Sequence, residues 1–575
     1  QLHRYASALV DICSPEGNRA KEYRTAKIII SHLYILGILN EIDEHAMQVC
    51  RESDSLLISS TADFINKIID NSDTPFIYEK VGVTTNHFMI DEFQDTSRLQ
   101  WSNFLPLLRE TVDNGNESMI VGDVKQSIYR WRNGDWEILH KGIKEKFPRK
   151  DDVVEKPLAE NYRSSANIIK FNNQLYQVGE DEEEETIKAL PYYLDKQLNA
   201  QLSLPNVPID KYFRSVYADA YQHIGNSDKP KGYVRVDFLK DDTEDPDKTW
   251  DIQSLDNMVA EMKRLQCYGE MAVLVREKKE AQKVAARLQE EKIPFYSSEA
   301  LCVATNLAVR FIVAVLEYLS QPHESLYRAN FVALYRQLLN DRNIDARDYQ
   351  LLSYQESNYG EWEHLLFESE SVAQQFSQIK HQSLQELIQS IVSLFSLNTI
   401  NNGVNAPYIQ AFIDKVQKFA IDGILDVRAL LEYWHEFGAK TFISMPSDGN
   451  AVKIMTIHTS KGLEFGIVFI PFVDWVFGFE SGKGSIQLAK TDKKTRDNHL
   501  FIDDVSIIPI NTLGSQQLLS SHFSEEIIQE FLYTCLDVMN VLYVATTRAS
   551  QQLYISCAEP KSQKDEKKDK NEKNY

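Results

Sequence analysis

The chain has 575 residues, 43% hydrophobic and 11% aromatic, a composition that excludes a disordered polymer and predicts three or four separately cored domains. Its 62 basic and 84 acidic residues leave a net charge of −22, which argues against a protein that coats nucleic acid with a basic face; nucleic acid would have to lie in a local channel. The six cysteines (Cys13, Cys50, Cys267, Cys302, Cys535 and Cys557) are far apart and form no C-x-x-C pair, so no metal or iron–sulfur spacing is visible and a reduced, cytoplasmic setting is expected.

The opening stretch QLHRYASALVDICSPEGNRAK lacks the basic and apolar regions of a signal peptide. No apolar run approaches the roughly 20 residues of a membrane span, so no membrane association is expected. The chain also begins without methionine, which points to a piece of a longer one. Residues 1 to about 75 show helical spacing, as in SLLISSTADFINKIID. From about 76 to 150 the pattern becomes α/β: HFMI and SMIV are short apolar strands, each followed by a polar loop. A second α/β block starts near 153 with VVEKPLAENYRSSANIIKFNN, read as strand, loop and helix start. EDEEEET at 180–186 reads as a solvated acidic loop.

GYVRVDFL (232–239) and EMAVLVRE (270–277) alternate and are β-branched, as strands are. KKEAQKVAARLQEEKIPF reads as an amphipathic helix leading into another strand, the signature of a βαβ unit. Residues from about 305 to 445 carry almost only helical periodicity. The α/β pattern returns with AVKIMTIHTS and GIVFIPFV, then a long helix near 528–548 that feeds the strand QQLYISC. The tail KSQKDEKKDKNEKNY is a charged linker without a core.

Five segments carry candidate chemistry. HFMIDEFQDTS (87–97) ends an apolar strand in acids, where ligands of parallel sheets bind. Asp91 is placed to hold Mg²⁺, and Glu92 to orient and deprotonate an attacking water. The alternative is a plain helix start capped by Asp95, Thr96 or Ser97. In SMIVGDVKQSIYRWRNGD (118–135), the Gln126 amide is suited to sensing a γ-phosphate. Tyr129, Trp131 and Arg132, with Arg130 between the rings, provide the stacking and cationic groups that a single strand requires; ordinary helix packing is the alternative. ENYRSS (160–165) offers Arg163 as an arginine finger and Tyr162 as a ring for adenine. VKIMTIHTSKGLEF (452–465) ends a strand in His458, Thr459, Ser460 and Lys461, with Gly462 expected to open a helix whose N-terminus would suit phosphate. VLYVATTRASQQLYI (541–555) places Arg548 near the end of a long helix, where most arginines are solvated.

In this fixed order the five segments resemble motifs II to VI of superfamily-one helicases of the UvrD/Rep type. DEFQDTS and VGDVKQSIYRWRNGD are closest to the exonuclease V beta-subunit (RecB) and AddA branch, and the likeness runs from about residue 55 to 557. It implies an α/β fold with two RecA-like parallel-sheet domains of the P-loop NTPase type, with helical insertions. Residues 1–75 would be a partial helical insertion of the first motor domain and 76–150 its remainder. The second motor domain would occupy 151–304 and 446–558, interrupted by a helical insertion at 305–445 and followed by a linker at 559–575. Mg-ATP would lie between Asp91, Glu92 and Gln126 of the first domain and Arg163, Glu464 and Arg548 of the second. Arg163 and Arg548 would be γ-phosphate ligands, Glu464 would lie near the nucleotide sugar, and Tyr129, Trp131, Arg132 and His458 would contact single-stranded DNA. The resemblance also implies 3′-to-5′ movement, action on single strands and duplex ends in double-strand-break repair, and other subunits of an exonuclease V-type complex.

The pattern departs from the family in one place. No Gly-Lys-Thr or Gly-Lys-Ser phosphate loop precedes DEFQDTS. GFESGKGS (478–485) has the wrong spacing, has Gly484 where a hydroxyl is needed, and lies in the wrong half. The expectation is a fragment that hydrolyses ATP poorly or not at all by itself. Two other readings stand beside it: a non-enzymatic module that grips DNA or a partner, and a motor for RNA or an ATPase acting on a small substrate.

Overall fold

The computed structural model describes residues 17–52, 54–70, 85–147, 149, 152–177, 212–226, 228–242, 245, 248–297, 303–339, 351, 359–367, 369–399, 405–421, 426–438, 449–478, 486–490, 507–511 and 518–559. The acidic tract at 180–186, the Gly-Lys pair of GFESGKGS and the charged tail lie outside them. The chain divides into two compact units, residues 1–240 with 457–575 and residues 241–456.

The first unit begins with helices α1 (Asn18–Glu52) and α2 (Ile58–Asp70). Strand β1 (Met89–Ile90) is followed by helix α3 (Arg98–Asp113) and strand β2 (Met119–Ile120). β1 and β2 pair in parallel, Met89 opposite Met119 and Ile90 opposite Ile120. Ile90 and Ile120 pack against a small core of Phe93, Trp101, Leu108 and Ile138, which leaves both polar loops at the same end of the pair. α3 opens on a reciprocal cap: Ser97 Oγ accepts from the Gln100 amide at 3.2 Å, and Gln100 Oε1 accepts from the Ser97 amide at 2.9 Å. Strand β3 (Glu160–Asn161), helix α4 (Ala166–Tyr176), strand β4 (His223–Ile224) and strand β5 (Tyr233–Leu239) follow.

The strand expected at the start of the 153 block shrinks to β3, paired in parallel with β4. Residues 153–158 are not in a strand, and Leu158 is 85% exposed. Pro157 has no amide hydrogen to give to a ladder, and no core receives these apolar side chains.

The second unit starts with helix α5 (Trp250–Leu265), which the sequence reading did not anticipate; Leu255, Met258, Val259 and Met262 form its buried face. Strand β6 (Met271–Val275) is buried at every residue, and helix α6 (Lys278–Glu290) leads to strand β7 (Phe295–Tyr296). Seven helices then occupy the described part of 305–445: α7 (Leu307–Ser320), α8 (Ser325–Leu338), α9 (Tyr359–Leu366), α10 (Glu370–Ile379), α11 (Leu384–Leu394), α12 (Ala406–Ile421) and α13 (Val427–Phe437). Strand β8 (Val452–Thr456) closes the unit, and its three strands run parallel in the order β6-β8-β7. The helices share one aromatic core built around Phe311, Tyr318, Phe331, Trp362 and Phe376.

The chain returns to the first unit through a single helical turn, Ile457–Ser460. Gly462 does not open a helix, as expected from the sequence; it follows this turn at φ +80, a left-handed conformation that glycine adopts without cost, and sends the chain into strand β9 (Phe465–Val473). Strands β10 (Ile486–Lys490) and β11 (Ile507–Asn511) form an antiparallel pair. Helix α14 (Ser524–Thr546) then runs into strand β12 (Ala549–Ala558). β12 lies between β5 and β9, parallel to both, so the parallel α/β expectation is met.

α1 and α14 are both long and apolar enough to cross a membrane by length and composition, although no run in either is uninterrupted. α14 carries the core of the first unit, with Leu532, Leu536 and Met539 packed on Tyr176, Phe213 and Tyr217. Only 12% of the apolar window of α1 is buried, against 61% for α14.

Trp362 anchors the helical core. Its ring stacks on Tyr318 at 4.8 Å, and its indole N–H donates to the Leu351 carbonyl at 3.0 Å. Trp362→Ala is expected to cost about 3–5 kcal/mol through the cavity it leaves. Urea unfolding followed by circular dichroism checks this, and an unmoved midpoint would show that the core does not depend on the ring.

Candidate nucleotide and nucleic-acid site

The two polar loops that follow β1 and β2 are tied together by one amide side chain. Gln94, almost fully buried, donates from Nε2 to Glu92 Oε2 at 2.7 Å and accepts at Oε1 from the Asp123 amide at 3.1 Å. A Cβ at Gly122 would lie 2.7 Å from that Oε1 and 2.8 Å from Leu139 Cδ2, so any larger residue there would push the Gln94 side chain out of its present place. Asp91 Oδ1 accepts from the Glu92 amide at 2.8 Å, and Glu92 is left-handed at φ +52, a conformation seldom adopted by non-glycine residues. Asp91 and Glu92 are both exposed.

Asp123 accepts from Gln126 Nε2 at 3.1 Å and caps the Lys125 amide at 3.1 Å. The Lys125 ammonium lies 2.8 Å from both Asp123 and Asp219. Burial pulls its pKa down, but the two carboxylates outweigh this and raise it, so the ammonium stays charged.

Lys461, which follows the helical turn after β8, reaches into the same place. Its side chain is 6% exposed, and its ammonium lies 3.2 Å from Glu92 Oε2 and hydrogen-bonds Asp95. Burial pushes the Asp95 carboxyl above its ordinary value, against the pull of Lys461. Asp95 is therefore an ion-pair partner, while the helix cap is Ser97. On its other side, the Lys461 ammonium lies 5.2 Å from the Tyr129 ring centre.

Tyr129 begins an open cluster of rings. Its hydroxyl donates to the His458 carbonyl at 3.0 Å, and the His458 ring lies 6.0 Å from Tyr129 and 6.4 Å from Trp131. Trp131 is 65% exposed, and the Arg132 guanidinium stands 4.5 Å above it. Arg130 does not join these groups: it turns away and pairs with Glu530 and Asp537 on α14.

Arg163, Glu464 and Arg548 come from elements around β9 and β12. Asn161 Oδ1 accepts from the amides of Arg163 and Ser164, each at 2.9 Å, which shapes the loop before α4. Arg163 Nε donates to Glu464 Oε2 at 3.1 Å. Tyr162 joins this set through the backbone: Lys229 Nζ donates to the Tyr162 carbonyl at 2.7 Å and to that of Arg163 at 2.9 Å. Its ring rests on Gly225, where a Cβ would come within 2.9 Å, and its hydroxyl donates to Glu160.

Arg548 is only 1% exposed, unlike the solvated arginine suggested by its position. Its guanidinium donates to the carbonyls of Val544 at 2.9 Å and Leu463 at 3.2 Å, and to Thr547 Oγ1 at 3.1 Å. Burial, then the nearby Arg163 charge, lowers its pKa to about 10, which leaves it protonated at neutral pH, while Glu92 and Asp123 act in the opposite direction. Asp91, Glu92 and Gln126 are thus joined through Gln94 and Asp123. Arg163 is joined to Glu464, and Tyr129, Trp131, Arg132 and His458 form one cluster. Sequence reasoning gave no role to Gln94 or Lys125, and read Asp95 only as a cap and Lys461 only as part of a phosphate-binding loop end. The signal for Lys461 was a lysine separated by four residues from an apolar strand in a chain with excess acid.

Residues 157–560 match the UvrD-like helicase C-terminal domain, and residues 38–148 match the UvrD/REP helicase N-terminal domain. Similar proteins include an ATP-dependent helicase/nuclease subunit of Leuconostoc mesenteroides, 26% identical over 82% of this chain and 38% of the relative. The protein of the same name from Oceanobacillus iheyensis is 24% identical over 95% of this chain and 47% of its own length. The exonuclease/helicase subunit RexA of Lactococcus lactis is 25% identical over 86% of this chain and 42% of its own length. The chain therefore spans less than half the length of these curated relatives.

Replacing Lys461 by Met would leave the half-buried Asp95 without its cation. Lys461→Met is expected to lower stability by about 1–3 kcal/mol, with Lys461→Arg recovering part of the loss. The urea midpoint of the chain reads this directly, and equal midpoints for all three proteins would show that the ammonium carries no stabilisation.

Proposed function

The chain belongs to the UvrD-like helicase family, and on that premise we propose that it is the motor core of an ATP-dependent DNA helicase of the exonuclease V type, working in double-strand-break repair and recombination. One observation carries this reading: the Lys461 ammonium touches both Glu92, beside the exposed acids, and Tyr129, in the open ring cluster. Groups suited to nucleotide hydrolysis and groups suited to single-strand stacking therefore adjoin through a shared side chain.

In this reading ATP lies between Asp91, Glu92 and Gln126 of one motor domain and Arg163, Glu464 and Arg548 of the other. Mg²⁺ fits the donor set, because the acids after β1 offer hard oxygen atoms, and this ion takes one or two carboxylates with phosphate and water completing its shell. Among the described residues no group of three or more His, Cys, Asp or Glu side chains could cage a metal, so Asp91 would hold the ion together with the nucleotide. When bound, Mg²⁺ neutralises phosphate charge.

Glu92 accepts the proton of the attacking water, its Oε2 oriented by Gln94 and Lys461. Gln126, held to Asp123, hydrogen-bonds the terminal phosphate and so distinguishes ATP from product. Arg163 and Arg548 stabilise charge on the phosphoryl oxygens, an effect on the order of 10³-fold or more for an arginine so placed. The burial of Arg548 strengthens it, because little water screens the charge. Tyr162 presents an open ring to adenine, and Glu464 lies at the sugar.

Single-stranded DNA, entered from duplex ends, stacks on Trp131 and Tyr129 with Arg132 and His458 beside it. Closure on ATP and release after hydrolysis advance the protein 3′-to-5′. The missing Gly-Lys-Thr or Gly-Lys-Ser loop is assigned to the remainder of the whole protein, and the word "subunit" in the relatives' names supports a partner chain.

Glu92→Gln in the whole protein is expected to retain Mg-ATP binding and abolish turnover, since the water loses its base. Normal turnover would remove Glu92 from the mechanism. Trp131→Ala should weaken oligothymidylate binding by about 1–3 kcal/mol, the effect of one lost stacking platform. Fluorescence anisotropy measures it, and unchanged affinity would place the strand elsewhere.

A further inference from the structure

Arg130 stands between Tyr129 and Trp131, yet its side chain faces the opposite way. Its Nη1 and Nη2 donate to the two carboxylate oxygens of Glu530, each at 2.9 Å, and its Nε donates to Asp537 Oδ2 at 2.7 Å. The Tyr533 ring lies 5.6 Å from the guanidinium carbon. Three nitrogens of one planar fork are thus satisfied on α14, which leaves Arg130 facing away from any strand that lies on the rings.

The receiving surface on α14 is a single polar stripe. Glu530, Tyr533, Asp537 and Asn540 follow at intervals of three, four and three residues, which places them on one face of a helix. Each of them reaches the segment that follows β2. Tyr533 donates its hydroxyl to Glu137 at 2.8 Å. The Asn540 amide donates to the carbonyls of Val124 at 3.2 Å and Ser127 at 2.9 Å, while its oxygen accepts from the Tyr217 hydroxyl at 2.8 Å.

The rest of α14 packs through apolar side chains such as Leu532, Leu536 and Met539. Buried charge contributes little stability beyond what apolar packing would give, and burial, with the Glu530 charge beside it, pushes the Asp537 carboxyl up to about 6 despite Arg130. What a buried fork does supply is a fixed register between loop and helix. From Asp537 the helix continues to Thr546, roughly 14 Å at about 1.5 Å per residue, and Arg548 stands two residues further on.

We propose that Arg130 is a positioning residue: it locks the ring-bearing loop onto α14, so that DNA on Tyr129 and Trp131 and nucleotide at Arg548 sense each other through one rigid helix. The proposal rests on the reading of the two sites given above. It assigns Arg130 a role in linkage rather than in contact with either ligand.

The test is the dissociation constant of the whole protein for fluorescein-labelled oligothymidylate, with and without Mg²⁺ and a non-hydrolysable ATP analogue. The ratio of the two is a coupling factor, and linkage requires the same factor for nucleotide binding with and without DNA. The wild-type factor is expected at about tenfold, within the usual range for coupled sites. In Arg130→Met it should fall towards unity while each ligand still binds alone. Arg130→Lys, which keeps the charge but loses the fork, should give an intermediate factor.

If Arg130→Met does not fold because Glu530 and Asp537 are left uncompensated, Arg130→Met with Glu530→Gln and Asp537→Asn removes those charges and should show the same loss of coupling. Undiminished coupling in either folded variant overturns the proposal, as does a wild-type protein that binds both ligands without coupling. A wild-type protein that binds neither overturns the functional reading itself.

Discussion

The Lys461 ammonium is the group on which the arrangement of the first unit turns. It ends a side chain that is largely covered, pairs with Asp95 and Glu92, and lies over the face of Tyr129. A buried cation is tolerated only where anions and a ring quadrupole replace its hydration, and here all of these come from the loops after β1 and β2. The segment after β8 therefore cannot shift without changing the surroundings of both the acids and the rings. In the proposed mechanism the residue nearest the attacking water and the ring nearest the DNA share one counter-charge.

Helix α14 supplies the other fixed element. Its apolar face builds the core with Tyr176, Phe213 and Tyr217, its polar stripe holds the loop after β2, and the chain just beyond it places Arg548 among backbone carbonyls. Two faces of one helix and the chain that follows it thus meet three separate parts of the unit. The buried Arg548 guanidinium gives its hydrogen bonds to two carbonyls and a hydroxyl, and although burial and the nearby Arg163 charge lower its pKa to about 10 it stays protonated at neutral pH.

Much of this was legible in the sequence, for physical reasons that differ by element. The strands ending in DEFQDTS and GDVKQS show themselves because apolar runs stop abruptly at acids and amides, and the parallel pairing of β1 and β2 follows. α14 and β12 were readable from length and alternation. The orientation of side chains was not. Nothing in YRWR separates Arg130, which points into the protein, from Arg132, which stays with the rings; the distinction depends on Glu530 and Asp537, about 400 residues later in the chain. Helix α5 was overlooked between two plain strands, and Gly462 was read as a helix opener because a four-residue helical turn leaves almost no periodic signal. Val154 and Leu158 are apolar in sequence but exposed, so pattern alone assigned them to a strand they do not form.

The net charge of −22 and the compact cluster of Trp131, Arg132, Tyr129 and His458 are compatible in one arrangement, where attraction is local and depends on stacking more than on a broad basic surface. The most direct measurement of the central claim is steady-state ATP hydrolysis by the whole protein with and without oligothymidylate. Shared use of Lys461 by the two sites predicts strong stimulation by the single strand. Hydrolysis at the same rate in both conditions would contradict the account, because it would mean that the acids and the rings operate independently.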